Sequence, residues 1–177
     1  RKTTFKPKSI WDDNSFLTET GTIGLKKLGF NDEFDFPKPV ELIKRCINLT
    51  VKNNDNILDF FAGSGTTGDA VMQLNAEDGG NRKFILAQLP ELIDPKSNKT
   101  AYDFVKNELK VETPTIFDIT KERLIRASKK IQEDNLALSE AERKDLSNQD
   151  LGFKVFETMP IWEDYNFEAE ELSTQTS

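Results

Sequence analysis

A run of small residues between an apolar segment and a helical pattern constrains this chain more than any other feature. The stretch Asn56–Ala70 has the sequence NILDFFAGSGTTGDA. Its apolar residues Ile57 and Leu58 are followed by an acid, Asp59, and a helical pattern begins at Gly68. This order predicts a strand, a tight glycine-rich turn and a helix, which is the layout that binds a cofactor at the carboxyl end of a parallel strand.

The turn itself is predicted to hold a ligand through its backbone. Gly63 and Gly65 permit positive φ and a close backbone approach, and the amides at the start of the helix then face the ligand. Asp59 is placed to accept hydrogen bonds from a ligand ammonium group or from the loop amides. A P-loop is excluded because no Gly-Lys-Ser/Thr follows the glycines, and an NAD site fits weakly because Thr66 and Thr67 fill the approach. A plain strand–turn–helix junction stays open as the alternative.

A second informative stretch precedes this loop. Phe34–Pro39 has the sequence FDFPKP, in which Pro37 and Pro39 keep their preceding residues extended. Pro39 also suits the first turn of a helix. Apolar residues at helical spacing predict that helix over Val40–Leu49. Cys46 lies beside the apolar stripe and is predicted to be a buried packing residue, not a nucleophile.

In this order the two stretches resemble motifs X and I of the DNA amino-methyltransferases. The pattern Asp, Pro or Phe, Phe, any residue, Gly-Ser-Gly-Thr-Thr is typical of enzymes that methylate the exocyclic amine of adenine or cytosine. Within that class the chain resembles the modification (Mod) subunits of Type III restriction–modification systems, which are β-group adenine methyltransferases. The resemblance is carried by FDFPKPVELIKRCI, ILDFFAGSGTTGDAVMQLN, KFILAQLPE, ITKERLIRASKKI and LGFKVFE, between Phe34 and Glu157. Phe60 departs from the proline that many members carry.

The resemblance implies that S-adenosylmethionine is the cofactor. The residues that it places on the cofactor are Asp59, Phe61, Gly63, Gly65, Thr66 and Thr67, with Phe36 and Lys38 at the methionine end. Family members also carry an acid at the end of the next strand, predicted here over Lys83–Leu89, where it holds the ribose hydroxyls. The matching position here is Gln88, which can donate and accept but has no charge, and Glu91 is a second candidate. No residue is identified as catalytic, and no metal site is predicted.

The order of elements predicts an α/β fold. Three parallel strands joined by right-handed crossovers would lie in the order 3-2-1, as half of a doubly wound, Rossmann-like methyltransferase sheet with flanking helices. The third strand is predicted over Leu151–Glu157. Strand one is expected to find its other neighbour in chain outside this sequence, or to stand as an open edge. The expected segments are 1–33, the connecting end of a target-recognition region; 34–157, the cofactor-binding half; and 158–177, an acidic tail.

Two helices are predicted between the second and third strands, over Thr100–Leu109 and Ile116–Ile131. The longer one has Leu124, Ala127 and Ile131 on one face. Its basic residues are predicted to lie on solvated faces, with contacts to a DNA backbone as the alternative. These residues are Lys121, Arg123, Arg126, Lys129 and Lys130.

Composition limits the possible functions. A chain of 177 residues can bury one sizeable core. The net charge of −7 argues against strong non-specific DNA binding by this piece alone, because phosphate contacts need a basic surface. The absence of histidine excludes histidine catalysis and histidine metal ligands, and the single cysteine excludes an internal disulfide and fits a reducing cytoplasm. No signal peptide or membrane span is visible in the sequence.

Methyl transfer needs a second motif besides the cofactor loop. The target base must be flipped out and its amine held by acceptors, and the family does this with Asp, Asn or Ser followed by Pro-Pro and an aromatic residue. None of the seven prolines in this chain is adjacent to another, and the first residue is Arg1. We therefore expect a C-terminal fragment that is inactive alone. The resemblance implies that the intact protein methylates adenine, works with a restriction (Res) subunit, forms a homodimer and binds DNA mainly through its upstream region.

Two other interpretations stay open. One is a degenerate methyltransferase-fold module, kept for protein contacts and without activity, which the glutamine at position 88 favours slightly. The other is a methyltransferase that acts on the cytosine amine, or one that works without a restriction partner. The sequence does not choose the base, because the pocket that reads it is expected upstream.

Overall fold

The computed structural model describes residues 10–158, and at its centre are two short parallel strands. Strand β1 (Asn56–Asp59) pairs in parallel with strand β2 (Lys83–Leu86). Asn56 lies opposite Lys83, and the register continues to Asp59 opposite Leu86. Helix α3 (Thr66–Asp78) connects them. The predicted strand–loop–helix–strand order is therefore confirmed, and this βαβ unit places the glycine-rich loop at the carboxyl end of β1.

The described part of the chain contains four further helices. They are α1 (Thr18–Lys27), α2 (Val40–Thr50), α4 (Lys99–Asp103) and α5 (Ile116–Ala137). A π-helical turn, Phe104–Glu108, continues α4, and a 3-10 turn, Asn14–Phe16, precedes α1. Pro39 stands directly before α2 with extended backbone, and a capping box between Thr115 and Asp118 starts α5.

Helix α3 is packed from two directions. Its Ala70, Val71 and Leu74 form one cluster with Ile47 of α2, and Ile57 of β1 packs against that cluster. Its Met72 forms a second cluster with α5, through Leu124 and Ala127. A Cβ added at Gly68 would lie 2.7 Å from a methyl group of Leu124, so the small residue permits this close packing. A third cluster, which includes Leu25, Phe30, Phe104 and Ile119, joins α1, α4 and α5.

The two faces of the sheet differ in their cover. Ile57 and Phe84 lie opposite each other and point toward α2 and α3. The next pair, Leu58 and Ile85, points the other way, because side chains alternate along a strand, and these two are 60% and 59% exposed. Within the described residues, helices thus cover one face of the sheet.

The predicted third strand, Leu151–Glu157, is not a strand in the structure. The sheet of the described residues has only β1 and β2, so the predicted order 3-2-1 is corrected there to a pair. The alternating pattern is satisfied only at its start: Leu151 is buried in the cluster with α5 and Phe153 packs against it, whereas Val155 and Phe156 are exposed. Packing against α5 thus prevails over pairing with β2.

The prediction for Cys46 was also wrong, because this side chain is exposed. The buried face of α2 passes through Lys44 and Ile47 instead. The Lys44 ammonium lies 2.5 Å from a carboxylate oxygen of Glu77 on α3 and 3.3 Å from one of Glu41. A lysine stem can fill an apolar position when its charged end finds partners, and the apolar stripe predicted from residue type misses this.

The predicted boundary at residue 33 remains a prediction, although Leu25 and Phe30 pack in the same cluster as Phe104. All but the first residue of the predicted acidic tail, 158–177, lies outside the described residues. Within residues 10–158, no helix is both long and apolar enough to cross a membrane.

Candidate cofactor-binding loop

The glycine-rich loop turns the chain from the end of β1 into α3. Gly63 and Gly65 both adopt positive φ, at 53° and 82°. Gly65 is the N-cap of α3 and has no side chain that could cap the helix. The first amides of a helix have no partner within it, and at the start of α3 they belong to Thr66, Thr67 and Gly68, which are buried.

Asp59 links the strand to the first turn of the helix. One carboxylate oxygen, Oδ2, accepts a hydrogen bond from the Thr67 hydroxyl at 2.5 Å. The other, Oδ1, accepts from the backbone N–H of Phe61 at 3.0 Å. Each carboxylate oxygen can accept more than one hydrogen bond, so Asp59 retains the capacity to bind a ligand donor. The structure therefore brings together two of the predicted residues, Asp59 and Thr67.

Gln88 ties the end of β2 to the same loop. Its Oε1 accepts from the backbone N–H of Gly63 at 2.7 Å, and its Nε2 donates to the carbonyl oxygen of Leu89 at 3.1 Å. A side-chain amide has two N–H donors, so one stays available after the bond to Leu89. Glu91 takes part through its backbone, where its carbonyl oxygen accepts from Ile116 N–H at 2.9 Å. The structure thus places Gln88 directly at the loop.

The predicted methionine-end residues reach the loop unequally. The carbonyl oxygen of Lys38 accepts from the Thr66 hydroxyl at 3.3 Å, and its side chain is exposed. Phe36 is 79% exposed and has a φ of 51°, which is rare for a bulky residue. It is Phe34 whose ring approaches the loop, 3.5 Å from the position of a Cβ added at Gly63. The sequence prediction missed this ring.

Two further aromatic rings stand exposed beside the loop. Phe60 and Phe61 are 64% and 82% exposed, and their ring centroids lie 5.2 Å apart at an angle of 60°. Large apolar rings bordering a polar backbone cradle offer a stacking surface to a planar ligand group. The place of Phe61 on the cofactor stays a prediction.

Arg123 on α5 is buried against the loop, and its prediction as a solvated charge was wrong. It is 0% exposed, and its Nη1 donates to the hydroxyls of Ser64 and Thr66, each at 2.7 Å. Its Nη2 and Nε donate to one carboxylate oxygen of Asp69 at 3.0 and 3.3 Å. Burial holds the pKa of the Arg123 guanidinium below its ordinary value, and the nearby carboxylate of Asp69 offsets part of this lowering. An arginine side chain stays charged at neutral pH.

Thr120 contacts the loop one helical turn earlier. Its hydroxyl donates to the carbonyl oxygen of Gly63 at 2.5 Å. A Cβ added at Gly65 would lie 3.2 Å from the Thr120 methyl group and 3.3 Å from its carbonyl oxygen. Sequence reasoning missed Ser64, Asp69, Thr120 and Arg123. The spacing of 120, 123, 124 and 127 offered a clue, because all four fall on the apolar stripe of α5.

A parallel βαβ unit with a glycine-rich turn is typical of α/β proteins that bind a cofactor. The model of a family described as DNA methylase matches residues 1–91, which is half of the chain. The chain belongs to this DNA methylase family.

The proteins to which the chain is similar include two Mod subunits and one methyltransferase. It is 39% identical to the Mod subunit of the EcoPI Type III restriction–modification enzyme of Escherichia phage P1, over 98% of the chain and 24% of that protein. It is 38% identical to the StyLTI Mod subunit of Salmonella typhimurium, over 85% of the chain and 20% of that protein. It is 46% identical to the Type II methyltransferase M.KpnI of Klebsiella pneumoniae, over 47% of the chain and 20% of that protein. The chain thus spans a quarter or less of the length of each of these relatives.

Proposed function

We propose that this chain is the S-adenosylmethionine-binding, C-terminal part of a site-specific DNA methyltransferase that methylates the exocyclic amine of adenine in a restriction–modification system. The observation that carries the proposal is the loop 59–67. It combines an acid at the end of β1, two glycines with positive φ and the N-terminus of α3. Likeness to two Mod subunits over most of the chain supports it.

The residues at the loop fit this cofactor. S-adenosylmethionine supplies a methyl group on a sulfonium, together with an amino acid end and an adenosine end. The helix amides next to Gly65 and the carboxylate of Asp59 would hold the charged and polar groups. Phe61 would pack on an apolar or planar part, and the free donor of Gln88 would meet the ribose hydroxyls. The backbone of Phe36 and Lys38 would border the methionine end.

The finer fold belongs to the same proposal. The βαβ unit would be half of a Rossmann-like methyltransferase sheet, with a further strand beside the free edge of β1 supplied by chain outside this sequence. The segments 1–33 and 34–157 would be the end of the target-recognition region and the cofactor-binding half. The supporting observation is the parallel pairing of β1 with β2 across α3.

The partners are proposed from the same likeness. The intact protein would work in the cytoplasm as a homodimer together with a restriction subunit, and it would bind DNA mainly outside this chain. The net charge of −7 supports DNA binding mainly outside this chain, because an acidic surface repels the phosphates of DNA. The second candidate is a methyltransferase that works without a restriction partner, which the likeness to the Type II enzyme M.KpnI favours.

The test uses the full-length protein and its methylated product. The protein is incubated with DNA and methyl-labelled S-adenosylmethionine, and the DNA is then digested to nucleosides. We expect label in N6-methyladenine. Label in N4-methylcytosine would favour the cytosine alternative, and no label in the DNA, despite saturable binding of the cofactor, would favour a module without activity.

A further inference from the structure

Two polar side chains of α5, Thr120 and Arg123, form hydrogen bonds with the glycine-rich loop, although α5 and the loop lie far apart in the sequence. We propose that Arg123, assisted by Thr120, holds the loop in the conformation that binds the cofactor, and that Arg123 is thus a positioning residue for S-adenosylmethionine. This inference rests on the proposed function for the identity of the ligand. The effect of Arg123 on the conformation of the loop does not depend on the identity of the ligand, and it can be measured without ligand.

The guanidinium spans the point at which the loop turns. Its Nη1 donates to Ser64 and to Thr66, the two residues on either side of Gly65. Gly65 carries the φ of 82° that turns the chain into α3. The planar guanidinium presents its donors in a fixed geometry, so one rigid group sets the distance between the two flanking hydroxyls. A lysine ammonium has one nitrogen, so it cannot bond the two hydroxyls and Asp69 from separate nitrogens as the guanidinium does.

The opposite side of the guanidinium is anchored to α3. Asp69 in the first turn of that helix accepts from Nη2 and Nε through one oxygen. The loop and the start of the helix are therefore bonded to the same side chain. Thr120 adds a bond to the carbonyl oxygen of Gly63, so that α5 donates hydrogen bonds to residues 63, 64 and 66 of the loop.

Packing alone does not explain an arginine at this position. Arg123 and Asp69 are 0% and 2% exposed, and removing each of these charges from water is unfavourable. An apolar residue would continue the stripe of Leu124 and Ala127 without that cost. Hydrogen bonds in such a dry site are strong and directional, so the pair is better explained by the conformation that it imposes on the loop.

A matched control lies one turn further along the same helix. Arg126 donates to the carbonyl oxygens of Leu28 and Gly29, and its guanidinium lies 4.6 Å from the ring centroid of Phe30. It is half-buried, and its hydrogen-bond partners Glu122, Leu28 and Gly29 lie outside the loop. Arg126→Lys therefore removes an arginine fork from α5 without touching residues 63 to 66.

The first measurement is amide hydrogen exchange of the full chain without ligand. In the structure the N–H of Gly63 bonds to Gln88 and that of Gly65 to the carbonyl oxygen of Ala62. We expect Arg123→Lys to speed exchange at these two amides by roughly tenfold, because two charge-assisted hydrogen bonds are lost. The reference amide of Val51, bonded to Ile47 at the end of α2, keeps its rate. Arg126→Lys leaves the loop amides unchanged.

The second measurement is a calorimetric titration with S-adenosylmethionine. We expect the Kd of Arg123→Lys to rise roughly tenfold and that of Arg126→Lys to stay within about twofold of the parent. Equal loop exchange in Arg123→Lys and the parent would overturn the inference, as would acceleration at the loop and at Val51 alike. Should Arg123→Lys not fold, Ser64→Ala removes one acceptor of the fork and is expected to shift both readouts in the same direction by less.

The two proposals fail in different ways. No saturable heat with the parent chain contradicts the proposed cofactor, whereas the exchange rates still decide whether Arg123 holds the loop. Binding by the parent with an unchanged Kd in Arg123→Lys contradicts the positioning role and leaves the proposed cofactor standing.

Discussion

Two groups of side chains border the glycine-rich loop, and they invert the usual distribution of polar and apolar residues. Arg123, Asp69 and Ser64 are polar and at most 3% exposed, whereas Phe60 and Phe61 are apolar and 64% and 82% exposed. The three polar side chains are hydrogen-bonded to one another, because Arg123 donates to both Ser64 and Asp69. The buried polar side chains thus serve the contact between the loop and α5. The exposed aromatic rings instead offer apolar surface to a ligand or to further protein.

The largest effect is expected when one charge of the buried Arg123–Asp69 pair is removed. Asp69→Ala leaves the Arg123 guanidinium buried without its counter-charge, which is expected to cost about 3–5 kcal/mol in the free energy of unfolding. Urea denaturation measures this. Asp134→Ala is the matched control, because its pair with Lys130 lies exposed on the surface of α5 and is expected to contribute less than about 1 kcal/mol. Equal costs for the two substitutions would contradict the distinction.

The loop conformation itself can be tested at a glycine. Gly65→Ala must place a Cβ at a φ of 82°, 3.2 Å from the Thr120 methyl group. We expect a loss of about 1–3 kcal/mol in the free energy of unfolding, because L side chains rarely adopt this conformation. Gly24→Ala on α1 meets nothing within 4 Å and has an ordinary helical backbone. There the same substitution is expected to stabilise by about 0.5–1 kcal/mol, so opposite signs in thermal denaturation support the account.

The smallest effect is expected on the uncovered face of the sheet. Ile85→Thr changes a side chain that is 59% exposed, so the free energy of unfolding should move by no more than about 0.5 kcal/mol. Ile57→Thr makes the same change on the covered face, beside Ile47 and Val71, and should cost about 1–3 kcal/mol. A large loss from Ile85→Thr would show that this face is packed in solution.

The parts of the fold that depend on neighbouring residues were predictable. The strand β1, the glycine turn and α3 follow from an apolar pair, two glycines and a helical pattern within fifteen residues. Asp59 was expected to accept hydrogen bonds from a ligand ammonium group or from the loop amides, and its Oδ1 accepts from the Phe61 N–H. Proline chemistry likewise predicted the start of α2.

The parts that depend on distant residues were not predictable in the same way. The bonds from Arg123 reach back 54 to 59 positions, and residue type alone assigns an arginine to solvent. The segment Leu151–Glu157 has the alternation of a strand, but Leu151 is anchored to α5 and the pairing with β2 does not form. Tertiary packing decides both outcomes, and a one-dimensional pattern does not contain it.

The most direct test of the cofactor site is a calorimetric titration of S-adenosylmethionine into the parent protein and two carboxylate variants. Asp59→Ala removes the acid at the end of β1, and Asp55→Ala removes an exposed acid whose Oδ2 accepts from the backbone N–H of Lys52. Both variants are first shown to be folded by circular dichroism. The account predicts saturable binding by the parent and by Asp55→Ala, and binding at least roughly tenfold weaker by Asp59→Ala. Equal affinity for all three proteins would contradict the assignment of this loop to the cofactor.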